Sequence, residues 1–341
     1  MCKGGKAMIR SFKALDSRGK VRTVTIALFT LLILLLPFLI TNSYRLYFFS
    51  MVGMYIIAAS GLDVLVGMSG QMSFGHIAFL GIGGYVSVLL SQYTGIPVIF
   101  CMLIAAFVSA GIGSLIAIPC AKLRAQFLIL ATIAFSYFIY QLICNLPVLN
   151  PFRGLYANHI MLFGLDINSD YRYTYYFSFV LVVIVLVLKS LLGRSKCGRA
   201  MMAVRDNTRS ADGMGINVRH YKVMAFAISA FLCGFAGAYM AHLTGFIVSD
   251  SFTQPLSFNF VLMIIFGGTN TVFGPVIGAF VYQILNELLA SAQAWRSVLY
   301  GVIVLVFIGF LPGGCVSGLR KLGDLIAGWL DKKNVKGGSA K

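Results

Sequence analysis

The sequence predicts an all-α polytopic integral membrane protein, and three observations carry that expectation. Hydrophobic residues fill 59% of the 341 positions and charged residues 11%, with a mean hydropathy of +0.89, too few charges to clothe a soluble domain. A hydrocarbon core about 30 Å thick needs roughly 20 apolar residues per helix, and the chain supplies about ten (8–10) such runs. Two intervals between runs are rich in glycine and polar residues, so some passages are expected to be broken or re-entrant. The formal charge of +17 lies in the flanks and a few loops, which points to membrane orientation rather than to nucleic acid.

Residues 1–23 carry Lys3, Lys6, Arg10, Lys13, Arg18, Lys20 and Arg22 against a single acid, Asp16, and precede the apolar run 24–40. That run is too long for a signal peptide and no small-residue cleavage site follows it, so it reads as a retained first span with a cytoplasmic N-terminus. Further spans are expected at 46–66, in the run ending near 91, from the Gly95 and Pro97 turn to about 118, and at 126–145. Lys122 and Arg124 place the loop before the last of these inside. In 146–172, Arg153 and Arg172 are offset by Asp166 and Asp170, a balance that suits the outside. A sixth span, 173–192, leads into 193–222, where Arg194, Lys196, Arg199, Arg205, Arg209, Arg219 and Lys222 fix the loop in the cytoplasm.

The seventh span, 223–243, places Ala230, Gly234 and Ala238 on one face and Cys233, Gly237 and Ala241 on another. Small residues at i, i+4, i+8 let backbones approach closely, so this helix is expected inside the bundle. The run 258–266 is too short to span alone; a break at 267–275, a helix to about 290 and a last span at 298–311 follow. Ten passages put both termini in the cytoplasm, in agreement with every basic loop. In the tail, Leu319, Leu322, Leu325, Ile326, Trp329 and Leu330 recur at helical spacing among lysines, as in a helix lying on the inner membrane face. The chain thus divides into a basic segment 1–23, a transmembrane domain 24–312 containing the 193–222 loop, and a basic tail 313–341.

The glycine-rich breaks, 67–84 and 267–275, both fall at turns expected on the cytoplasmic side. Unwound backbone survives at membrane depth only where protein buries it or it lines an aqueous cavity, and paired interruptions mark a substrate path. Gln71, Ser73, Gly75, Thr269 and Asn270 are therefore the candidate pathway residues; tight turns without ligand contact are the competing reading. Asp63, one turn before the first break, and Glu287, late in the ninth span, are expected as buried acids. A mid-membrane carboxylate costs about 2.5–3.5 kcal/mol, so it normally faces the bundle interior or a cavity as a proton or cation site; the competing reading is a residue near the interface or one hydrogen-bonded for structure. His76 and His242 read as packing residues. The seven cysteines are scattered without a Cys-x-x-Cys pair, and neither a metal-spaced cluster nor a Ser-His-Asp arrangement occurs. No cofactor, metal or catalytic site is expected of this chain, and with no Gly-x-x-x-x-Gly-Lys-Ser/Thr loop any ATP hydrolysis resides in a partner.

In the basic loop, Ala200 to Val204 is helix-prone, Gly213 and Gly215 can end helices, and Ala211 is small enough for close docking. A short helix there would insert into a groove on a partner; a solvated linker is the alternative. The run Gly198 to Asp206, with Gly215, Ile216, Asn217, Tyr221, Lys222 and Ala225 to Ala230, resembles the second permease subunit of branched-chain amino acid ABC importers, the LivM type. So do Gly67, Ser69, Gly70, Gln71, Ser73, Gly75 and His76 in the first break, and Gly267, Gly268, Phe273, Gly274, Pro275 and Gly278 in the second. The resemblance extends over about residues 50–312.

It implies a permease in a bacterial inner membrane that pairs with a LivH-like permease and two LivG/LivF-like ATPase subunits, and receives substrate from an extracytoplasmic binding protein. In that setting Arg199, Ala200, Arg205, Asp206, Ala211 and Gly215 belong to the segment that docks on the ATPase. Permeases for urea and short amides share these motifs, and a proton-coupled carrier using Asp63 or Glu287 is the alternative outside the family. Two departures stand out. Thr208 to Ala211 replaces the acid followed by two alanines common among relatives, and the loop 149–155 lacks their glycine-rich pattern.

Overall fold

The computed structural model describes residues 42–149, 153–162, 164–290 and 295–310, with Pro37, Gly314 and Cys315. The basic segment 1–23, the first span 24–40 and the amphipathic tail helix lie outside the described residues. Helix α1, Ser43–Asp63, is prolonged by a π-helical turn, Val64–Met68, and followed by α2, His76–Tyr93, α3, Val98–Cys120, and α4, Ala125–Asn145. Next come α5, Tyr171–Arg194, the short α6, Lys196–Asp206, and α7, Thr208–Gly213, then the long α8, Val218–Thr244. Helices α9, Gln254–Gly267, α10, Gly274–Leu288, and α11, Arg296–Phe310, complete the described chain.

The five helical stretches Ser43–Met68, Val98–Cys120, Ala125–Asn145, Tyr171–Arg194 and Val218–Thr244 are long and apolar enough to cross a membrane. Helix α9 has 14 residues, about 21 Å at 1.5 Å per residue, which falls short of a 30 Å core. Its start is tied to the middle of α4 through Gln254 and Ser136, so it begins partway down the bundle rather than at its end.

Helix α8 is the centre of the packing, touching α1, α2 and α3. The apolar stretches of α1 and α8 are 78% and 67% buried, against 33, 28 and 22% for α3, α4 and α5, which therefore form the periphery. Ala230, Cys233, Gly234, Gly237, Ala238 and Ala241 of α8 are all buried, as the small-residue spacing predicts. A Cβ on Gly237 would strike the Leu80 carbonyl of α2, and one on Gly83 would strike the Gly234 carbonyl. Between lipid-immersed helices apolar burial gains little, so close backbone approach and dispersion supply the cohesion. Polar pairs add register: His76 Nε2 lies 2.6 Å from Ser229 Oγ, and His242 Nε2 lies 2.9 Å from Ser87 Oγ. Both histidines are buried and tie α2 to α8.

The all-α expectation is amended at one end of the bundle. Strand β1, Leu155–Tyr156, pairs antiparallel with β4, Phe246–Ile247, and β2, Met161–Leu162, pairs with β3, Leu165–Asp166. Loop backbone that covers helix ends must still satisfy its amides, and two-residue ladders do so locally. Asn158 Nδ2 donates to Ser91 O at 2.8 Å and Asn168 Nδ2 to His242 O at 2.7 Å, which seats the loop on α2 and α8. His159 Nδ1 lies 2.9 Å from Asp166 Oδ2, and that hydrogen bond holds the Asp166 carboxyl below its ordinary value.

Candidate functional site

The first break leaves α1 through the π turn that follows Asp63, a geometry frequent at functional sites. The break expected over 67–84 is unwound only at 70–75, since α2 is already helical from His76; around it exposure alternates, with Ser69, Gln71, Ser73 and Gly75 buried, Gly70 and Met72 exposed, and Phe74 half-buried. Neighbours satisfy the freed groups. Phe74 N donates to Thr132 Oγ1 of α4 at 3.2 Å, and Gln254 Nε2 donates to Phe74 O at 3.1 Å. Gln71 Nε2 donates to Ser69 Oγ at 2.8 Å and to Lys222 O at 3.0 Å, while Ser73 Oγ accepts from Gly75 N at 3.4 Å.

Gln71 and Ser73, expected as pathway residues, are buried in this chain. The polar set has turned inward to bond α8 and the break itself. Gly75 lies against the Thr132 carbonyl. The outward row is Gly70, Met72 and Phe74, with the Phe74 ring 5.0 Å from that of Phe258.

The second break turns through Gly268, at φ 98°, and Asn270, at φ 57°, a left-handed conformation that asparagine tolerates better than most residues. Thr269 and Asn270 are exposed. Asn270 N donates to Asp63 Oδ1 at 2.8 Å, and a Cβ on Gly67 would come within 2.7 Å of Asn270 N. The two breaks therefore touch. Asp63 Oδ2 lies 2.6 Å from Lys189 Nζ of α5, with both side chains at most 1% exposed, and Lys189 Nζ also donates to Thr271 O at 2.9 Å.

Sequence reasoning missed Lys189, because a lysine four residues before a basic loop reads as one whose stem reaches the interface. A lone cation in one span and a lone acid at matching depth in another is the signal that would have found it. Glu287, expected to be buried, is exposed: α10 has only 15 residues, so residue 287 reaches the far end of the bundle, where Tyr44 Oη donates to both carboxylate oxygens at 2.8 and 2.9 Å.

Helix α6 is capped by Ser195, whose Oγ accepts from Gly198 N at 3.0 Å, and it buries Gly198, Met201 and Val204. Arg205 Nη1 donates to Gly67 O at 2.6 Å, and the Arg205 stem lies on Gly70, held at φ 71°. Its Nε and Nη2 grip Asp206 Oδ1 at 2.9 and 2.8 Å. Arg199 is exposed and donates to Arg194 O at 2.6 Å, and Ala200 is half-buried.

Ala211, expected to meet a partner, is 1% exposed; its small side chain serves α7 in packing on its own chain. Met214, 70% exposed, and Gly215, at φ 79°, stand out instead. A cleft of about 430 Å³ opens beside α7, lined by Thr208, Arg209, Asp212, Asn217, Arg219 and Lys222. Among the described residues no three His, Cys, Asp or Glu side chains are grouped to hold a metal ion.

Residues 44–308 match the family described as branched-chain amino acid transport system / permease component. The chain belongs to this permease family. It is 28% identical over 290 residues to the high-affinity branched-chain amino acid transport permease LivM of Escherichia coli (strain K12), covering 78% of this chain and 68% of that one. It is 23% identical over 317 residues to a probable LivM of Methanocaldococcus jannaschii, covering 77% and 90%. The autoinducer 2 import permease LsrC of Yersinia pestis (strain Pestoides F) is 26% identical over 143 residues, 38% of this chain and 40% of that one. No solved structure matches. The permease match spans α1 through most of α11, so both breaks, α6 and α7 lie within the family's shared region.

Proposed function

We propose that this permease is the transmembrane subunit of an ABC importer for branched-chain or other hydrophobic amino acids in a bacterial inner membrane. It passes substrate delivered by an extracytoplasmic binding protein, beside a LivH-like second permease and above two LivG/LivF-like ATPase subunits. The α6 and α7 end faces the cytoplasm, as do both termini after ten passages, and the β1/β4 end faces outward. The observation that carries this reading is the bond from Arg205 of α6 to the Gly67 carbonyl, which joins a basic, capped surface helix directly to the π turn that leads into the first break. The exposed α6, α7 and Met214 surface, with the Arg209, Arg219 and Lys222 cleft, suits an acidic groove on the ATPase.

The substrate path runs along the outward row Gly70, Met72 and Phe74, with Phe258, and past Thr269 and Asn270. Apolar side chains beside backbone carbonyls fit a small zwitterion with an aliphatic side chain, passed without tight retention. Deletion of residues 195–215 from the reconstituted complex is expected to abolish ATP-dependent leucine uptake. Uptake that survives the deletion, or uptake by this chain alone under a pH gradient without nucleotide, overturns the reading.

A further inference from the structure

We infer that Lys189 and Asp63 are positioning residues for transport: their buried ion pair fastens the two breaks into one body that moves with α6. The inference rests on the proposed importer function and adds the route by which α6 acts on the path.

The connections close a loop. Helix α5 ends at Arg194 and α6 begins at Lys196, so α6 is joined covalently, across a single residue, to the helix that carries Lys189. At its other end α6 holds the first break through Arg205 and Gly67 O. Four residues before Gly67, Asp63 accepts from Asn270 N with one oxygen and pairs with Lys189 through the other. Lys189 in turn donates to Thr271 O, the residue after Asn270. Asn270 Nδ2 also reaches Met202 Sδ of α6, at 4.0 Å.

Gly67 leaves no space in the knot, since a Cβ there would strike Asp63 Oδ1. The C-terminal end of α6 is thus anchored to Gly67 O, and its N-terminal end, through α5 and Lys189, to Asp63 and to Thr271 O of the second break. A displacement of α6 reaches the second break either through Asp63 and Lys189 or through the weak Met202 contact. The ion pair is the stronger link, because two opposite charges lie 2.6 Å apart away from water. A network of this kind transmits force when it moves as a unit, and it counts as coupling only if breaking it changes the exchange between the two ends.

The test uses the complete complex with its ATPase subunits in proteoliposomes. The double variant Asp63→Asn/Lys189→Met removes both charges while keeping an acceptor for Asn270 N. It is expected to assemble and to hydrolyse ATP, with leucine taken up per ATP hydrolysed reduced at least tenfold. A purely structural pair would lower the yield of complex and leave that ratio unchanged, and such a result overturns the inference.

A second arm leaves the pair intact. Spin labels at Met72→Cys and Thr269→Cys, one on each break, are expected to keep one narrow separation with and without bound nucleotide. A separation that changes between the two nucleotide states shows that the breaks move independently and likewise overturns it. Failure of the wild-type complex to couple uptake to ATP would instead count against the importer reading itself.

Discussion

Lys189 and Asp63 have at most 1% of their side-chain surface exposed, and the pair's energetics are asymmetric. Removing one partner strands a buried charge, at about 3–5 kcal/mol, whereas neutralising both is far less costly. Lys189→Met alone is therefore expected to lower the thermal unfolding midpoint in detergent sharply. Adding Asp63→Asn should restore more than half of that loss, because asparagine's oxygen still accepts from Asn270 N. A double variant as unstable as the single one would show that the charges are not each other's main partner. Glu287 makes the contrasting case. Its carboxylate is exposed and bonded by one tyrosine hydroxyl, so its replacement by glutamine leaves no buried charge behind.

At the scale of the element, α8 shows why glycine spacing matters more than hydrophobicity in this bundle. Its Gly237 faces the Leu80 carbonyl, which is backbone and cannot rotate away. Overpacking costs roughly 1–3 kcal/mol when side chains can adjust, and more when backbone must move. Gly237→Leu is therefore expected to part α8 from α2 and to reduce the yield of monodisperse protein on size exclusion. Gly111→Leu on α3, where nothing lies within 4 Å of the added Cβ, serves as the control and should behave as wild type. Equal effects from the two substitutions would mean that composition, not the α2/α8 approach, governs packing.

At the scale of the whole molecule, the two ends of the bundle differ in chemistry and in expected partner. The β1/β4 end carries Tyr156, 77% exposed, and the α7 end carries Met214, 70% exposed. In a background with the native cysteines replaced, Tyr156→Cys should react with an impermeant maleimide in intact cells, and Met214→Cys only after permeabilisation. Assembly with the ATPase should then protect Met214→Cys while leaving Tyr156→Cys reactive. Labelling of both from the same side would refute the proposed topology.

Much of the architecture is legible in the sequence because the membrane imposes one-dimensional rules. Apolar run length sets helix length, so the span expected at 126–145 is found as Ala125–Asn145. The spacing of Ala230, Gly234 and Ala238 likewise identifies the buried helix, and glycine clusters locate both breaks, although the first is unwound only at 70–75 of the 67–84 expected. Those features depend on neighbours along the chain. Which face of an unwound segment turns inward does not, so Gln71 and Ser73 could not be told from Met72 by sequence. Nor could Asp63 be matched to Lys189, since 126 residues separate them and only the α1/α5 packing brings them together. The sequence by itself determined a helical membrane permease with two breaks and a basic loop. Only the tertiary structure decided that the two breaks meet beside one buried ion pair, with the basic loop bonded to the first of them, because charges in a low-dielectric interior are stable only beside the partner that folding supplies.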